Sequence, residues 1–257
     1  MQRDDDCPEP RSRLREIERA AVLSWPALET QIIDGWMARF SSGGSVRANT
    51  VSALHYDGRD VEASIAKATT FYRDRGGPAR FTLTEVDAPQ NLDAILAGQG
   101  WLRHGDHVTM AKTLGAEPDD GGPSVEIEIH DAPTDEWMAV YLSGLSDSRR
   151  AVAPRIVAGV PTPRAFLSLR RNGTVIASGL TVHEGDLASV QCMATLPEAR
   201  RTGAARAILG TIERIARGRQ CRILYLQTDL SNLAATSLYG SVGFQEAGRY
   251  HVRELQS

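Results

Sequence analysis

Lysine is nearly missing from these 257 residues: of 29 basic side chains only Lys67 and Lys112 are lysine, and the rest are arginine. Net charge is also scarce. Acids and bases almost cancel, leaving −3 and a pI near 6.1, which argues against reliance on a global basic field to hold nucleic acid or anionic lipid. Cys7, Cys192 and Cys221 form an odd set with no Cys-x-x-Cys spacing, so neither a disulfide framework nor a zinc site is indicated, and no metal is expected. No apolar run approaches the roughly 20 residues that span a bilayer. The acidic start, Met1 to Asp6, leads into an arginine-rich amphipathic stretch and lacks the apolar core of a signal peptide. The expectation is a soluble, cytoplasmic protein with no membrane or nucleic-acid partner, as monomer or homodimer. What is present, 42% hydrophobic and 24% charged residues, is ordinary globular composition. The length suits one large domain or two of common size.

Gly115-Ala-Glu-Pro-Asp-Asp-Gly-Gly-Pro-Ser124 cannot easily continue a helix or a central strand, so a linker is expected at 115–123 between domains at 1–114 and 124–257. Before it, periodicity predicts a helix over 11–23, strands over 32–40 and 47–54, a helix over 60–75, a strand over 80–86, a short helix over 91–97 and a last strand or pair over 101–112. After it come a strand at 125–129, a helix from Pro133 to about Leu145, and a hairpin turning on Asn172-Gly173, the pair a type I′ turn prefers. One further strand is predicted over 188–195, then helix 202–217, strand 223–228, helix 232–241 and a strand from Phe244. The class is α+β, with sheet flanked by helices. A shift of 143 residues lays Gly100-Trp101 on Gly243-Phe244 and brings 80–97 into register with 223–240, which predicts two copies of one fold.

The most informative segment is Met193 to Arg206. It sets a small-residue loop, Arg200-x-x-Gly203-x-Ala205, between a strand and the start of an amphipathic helix. A glycine at such a turn lets a phosphate approach backbone N–H groups at the positive helix end. Arg200, Arg201 and Arg206 add charge-assisted donors. The Gly-Lys-Ser/Thr of a Walker A loop and the full G-x-G-x-x-G are both missing, so ATP and NAD fit poorly.

Thr195-Leu-Pro197-Glu-Ala-Arg200-Arg-Thr-Gly203-Ala-Ala205 and Asn232-Leu-Ala-Ala235-Thr-Ser-Leu238-Tyr239-Gly-Ser-Val-Gly243-Phe244 together resemble the signature of the GNAT superfamily of acetyl-CoA-dependent N-acetyltransferases. The resemblance covers about 124–255. It implies tandem GNAT-like domains, each a mixed twisted sheet flanked by helices. It further implies that Met193, Ala194 and Thr195 bind the pantetheine arm of acetyl-CoA, and that Arg200, Arg201, Thr202, Gly203, Ala204, Ala205 and Arg206 hold its diphosphate. By the same resemblance Asn232 bonds the arm, Ala235 leaves room for it, and Tyr239 protonates the leaving thiolate, which a departing sulfur needs within hydrogen-bond reach.

No carboxylate occupies Ser189 to Cys192, where the family often keeps its base. Glu184 is the candidate, with Asp186 and His183 beside it; a solvated hairpin tip is the competing reading for all three. Cys192 reads as buried filler, and Trp137 and Tyr141 read as core before they read as an acceptor wall. In the first half the repeat offset puts Leu96 at Tyr239 and Asp57-Gly-Arg-Asp-Val-Glu62 at the loop. Three carboxylates there suit a helix N-terminus but repel a diphosphate, so this half is expected to be degenerate. The expected activity is acetyl transfer from acetyl-CoA to a primary amine by direct attack, on a small molecule before a protein. A non-catalytic acyl-CoA sensor or interaction module is the alternative.

Overall fold

The computed structural model describes residues 10–115 and 126–256, so the expected linker falls, apart from Gly115, outside the described residues. Helix α1 (Pro10–Leu23) buries Leu14, Ile17, Ala20 and Ala21 on one stripe, together with Glu18. Strands β1 (Glu29–Ile33) and β2 (Trp36–Phe40) form a hairpin on Asp34-Gly35. Their φ values of 48° and 88° are the left-handed pair a type I′ turn requires, so the single strand predicted over 32–40 is in fact two. A 3-10 turn, Val46–Ala48, replaces most of the next predicted strand and leaves only β3 (Val51–Ser52). Helix α2 (Val61–Arg73) follows, then β4 (Arg80–Thr84), α3 (Leu92–Gly98) and the 12-residue β5 (Leu102–Thr113).

The second half runs β6 (Ile127–His130), α4 (Asp135–Ser143), α5 (Asp147–Arg150), α6 (Ala153–Ala158), β7 (Arg164–Arg171) and β8 (Thr174–Glu184). Sequence periodicity missed the short α5 and α6. The β7–β8 turn falls on Asn172-Gly173 as predicted, with φ of 50° and 80°. Next come β9 (Leu187–Ser189), β10 (Gln191–Thr195), a 3-10 turn at Pro197–Ala199, α7 (Ala204–Gly218), β11 (Ile223–Asp229), α8 (Leu233–Ser241) and β12 (Gln245–Glu254).

One sheet passes through both halves in the order β1-β2-β3-β4-β12-β5-β11-β9-β8-β7-β6, with β10 attached to β8. The 143-residue repeat equates β4 with β11 and β5 with β12. In the sheet these four stand as β4-β12-β5-β11, so the last strand of each copy has crossed over to the other. Each half therefore completes the other's hydrogen-bond ladder. Alternate residues of β11 feed opposite faces. Leu224 and Leu226 pack with Ile208, Leu209 and Ile212 of α7, whereas Ile223 and Tyr225 pack with Ile17, Ala20 and Ala21 of α1. On the α1 face, Gly248 interrupts the register of β12 against β5. A Cβ there would lie 2.7 Å from a methyl of Leu14, so this glycine is what lets α1 lie down on the sheet.

Candidate active site

β9 runs parallel to β11 from Leu187↔Ile223 to Ser189↔Tyr225, and the Val190 amide makes a further bond to the Tyr225 carbonyl at 2.8 Å. Beyond that point the strands part. β10 pairs with β8, with its register broken between Gln191 and Ala194 and Cys192 at φ 51°. The continuous strand predicted over 188–195 is thus corrected: a bulge swings Met193, Ala194 and Thr195 away from β11. The Leu196 amide donates back to Ile176 at 3.0 Å, and strand alternation turns the Thr195 N–H the other way, toward the opening.

The chain then passes through the 3-10 turn into a compact loop, where the Thr202 hydroxyl donates to the Ala199 carbonyl at 2.7 Å. Arg201 and Gly203 flank it with φ of 61° and 85°. Gly203 is the N-cap of α7 and no side chain caps that helix. The amides of Ala204, Ala205 and Arg206 belong to the first helical turn and have no partner within the helix. A Cβ at Gly203 would meet nothing within 4 Å, so glycine is demanded by its φ and the space beside it is open. Arg200, Arg201 and Arg206 are exposed around this opening. Open donors, the positive helix end and three guanidinium groups suit a diphosphate.

Across the opening lies α8. Asn232 caps it, its side-chain oxygen accepting from the Ala235 amide at 3.2 Å, and Arg206 reaches the Ser241 hydroxyl at 2.8 Å. Tyr239 is buried to all but 8%, its ring 5.9 Å from that of Phe244. Burial pushes its hydroxyl up to about 12, so the group is protonated at neutral pH and able to donate. Ala204 and Tyr239 belong to one apolar cluster, with Met193 and Ala235 packed against it. The segments predicted separately therefore meet.

The family model described as "Probable histone acetyltransferase Rv0428c C-terminal" matches residues 11–253. The chain belongs to that family. It is an N-acetyltransferase of the GNAT superfamily, hence an acyltransferase. This acetyltransferase is 26% identical to "Uncharacterized N-acetyltransferase YobR" of Bacillus subtilis, over 93% of the present chain and 98% of that protein. It is also 26% identical to the probable histone acetyltransferase Rv0428c of Mycobacterium tuberculosis, there over 53% of the chain and 41% of the relative. Its fold is like that of a GCN5-related N-acetyltransferase from Kribbella flavida, with TM-score 0.72 at 12% identity and 98% of each chain covered. A tandem GNAT protein from the clavulanic acid biosynthesis pathway aligns at TM-score 0.61 and 14% identity, over 86% of this chain and 77% of that one.

The acetyltransferase does not bring Glu184 to the opening. Glu184 faces Leu187 at the start of β9, about 17 Å along β8 from Gly179 beside Met193 at roughly 3.3 Å per residue, and is ion-paired with Arg19 at 3.2 Å. Its neighbours are also occupied: Asp186 holds Arg222 at 2.7 Å, and burial pushes His183 down to about 4. Cys192 packs against the cluster around Trp137, and burial pushes its thiol up to about 12, which disfavours a thiolate. Trp137 is fully buried and donates to the Gly179 carbonyl at 2.9 Å, which makes it core.

Sequence reasoning missed a different carboxylate. Glu18 of α1 is 3% exposed and accepts from the Thr109 hydroxyl and from Gln227 Nε2, the latter at 2.9 Å. Burial raises it to about 7, against the lowering effect of the Thr109 hydrogen bond. A signal was there to be read: Glu18 interrupts the apolar stripe Leu14, Ile17, Ala21, where a charged residue has no reason to be unless something satisfies it.

Proposed function

We propose that the protein transfers the acetyl group of acetyl-CoA to a primary amine by direct attack, and that the acceptor is a small molecule. The carrying observation is the uncapped N-terminus of α7 opening beside the parted strands β10 and β11. In this reading the donor supplies a thioester carbonyl. Arg200, Arg201, Arg206 and the backbone from Thr202 to Ala205 bind its diphosphate, the free edge of Met193, Ala194 and Thr195 orients the arm, and Asn232 bonds it through its amide nitrogen while Ala235 leaves it room. Tyr239 gives its proton to the departing sulfur. The face opposite α7 is covered by α1 and, from the N-terminal half, Trp25 and Ala48, a roof that favours a small acceptor over a folded protein surface.

The lobes are proposed as 1–114, without a cofactor site of its own, and 124–257, which is catalytic, joined by 115–123. Calorimetric titration with acetyl-CoA, followed by free-thiol release across an amine panel, tests the reading. One site and turnover on at least one amine are expected. Absence of binding would sink it, and binding without turnover on any amine would favour an acyl-CoA sensor.

A further inference from the structure

The reading above leaves the reaction without a proton acceptor, because Glu184 lies at the wrong end of the sheet. We propose that Glu18, carried by the first helix of the N-terminal half, accepts the proton of the incoming ammonium. This rests on the transferase reading. The strands β9 and β11 are last joined at the Val190–Tyr225 bond. Gln227 stands two residues further on, roughly 7 Å along β11, on the face turned toward α1. Glu18 is bound to Gln227 and to Thr109 on the paired position of β5. Its carboxyl group therefore sits beside the apex of the opening, on the face that α7 does not fill.

The acceptor is placed on that face, between the sheet and the roof that the N-terminal half lays over it. On the α7 side the ground is taken: a Cβ on Gly179 would lie 2.4 Å from Ile208 and 3.1 Å from the Met193 sulfur. Around Glu18 stand Arg47 from the 3-10 turn, Glu85 and Asp87 beyond β4, and Tyr250 of β12. His107 and Asp229 form the next row along β5 and β11. Among the described residues Glu18 forms no ion pair, and the Arg47 charge acts on it without a bond.

The proton accounting closes. An ammonium N–H bond breaks and its proton passes to a Glu18 oxygen; the freed nitrogen pair forms the N–C bond as the C–S bond breaks. The sulfur takes the Tyr239 proton, Tyr239 regains one from the nitrogen as the amide forms, and Glu18 releases its proton to solvent. A purely structural Glu18 would tie α1 to the sheet and leave the pH profile alone.

The test compares full-length wild type with Glu18→Gln and Glu18→Asp, using acetyl-CoA and the best amine of the panel between pH 5.5 and 9. Wild-type kcat/KM should rise through an apparent pKa near 7. In Glu18→Gln that limb should vanish and kcat fall roughly 100-fold, with acetyl-CoA affinity unchanged within about twofold; Glu18→Asp should keep the limb. A Glu18→Gln rate within about threefold of wild type with the same limb overturns the inference while leaving the transferase reading intact, whereas wild type failing to bind acetyl-CoA sinks that reading itself. A carbon-13 titration of the wild-type glutamate carboxyls needs no variant. One glutamate titrating near 7 supports the assignment, and all titrating below about 5 overturns it.

Discussion

Two helix starts stand at equivalent points of the repeat and are finished in opposite ways. At α2 the carboxylate of Asp60 accepts from the Ala63 amide at 3.0 Å, spending the helix end on the protein's own acid. At α7 the N-cap is Gly203, with a left-handed backbone and no side chain, so the donors remain for something else. One substitution in a loop thus separates a closed helix start from an open one. The same contrast recurs further along each copy, where Tyr239, the proposed proton donor, stands opposite Leu96, a fully buried aliphatic.

Making the second start like the first should have the largest effect. Gly203→Asp puts a strained, acidic residue at φ 85° and should weaken acetyl-CoA binding about 1000-fold, on the order of 4 kcal/mol; calorimetry showing unchanged affinity would break the comparison. Tyr239→Phe copies the inert partner more gently. It should lower kcat roughly 100-fold with acetyl-CoA affinity unaltered, read from thiol release at saturating donor.

The halves should also differ in what pH does to them, because Glu18 is buried with a carboxyl raised from 4.5 to about 7. A raised acid favours folding while protonated, so its contribution is fully present below about 4.5 and is lost as pH rises through about 7. Glu18→Gln should therefore gain on the order of 2 kcal/mol over wild type between pH 5 and pH 8 in denaturant unfolding, and a pH-independent difference would refute the burial argument. Smallest is Asp60→Ala, which should cost about 1 kcal/mol of stability by removing the α2 cap. Asp60→Gly should leave acetyl-CoA stoichiometry at one, since opening that helix does not supply Arg200, Arg201 and the parted strands.

Much of the molecule was legible in local pattern. The Asn172-Gly173 hairpin, α7, α8 and the long β5 follow from turn chemistry and periodicity, which act within a few residues. Where reading failed, the competing force was also local but unrecognised, or else it was distant. Asp34-Gly35 carried the same turn signal as Asn172-Gly173 and split a predicted strand. The break at Val190 to Cys192 has no such signal, because a bulge is decided by the strand a segment leaves as much as by its own residues.

Glycine at 203, arginines at 200, 201 and 206, and the spacing from Asn232 to Tyr239 are properties of the chain order, and they were enough to point to the proposed cofactor loop before any fold was known. Spatial assembly had to supply the rest. The proposal of Glu18 over Glu184 could not be made from adjacency, since Glu184 is eleven positions from Thr195 in sequence yet at the far end of its strand, whereas Glu18 is held against Gln227 and Thr109 from the other half. The crossing of β5 and β12 is likewise invisible in either copy alone. Hydrogen-bond ladders pair whichever edges meet, and in this protein each edge was met by the strand of its repeat partner.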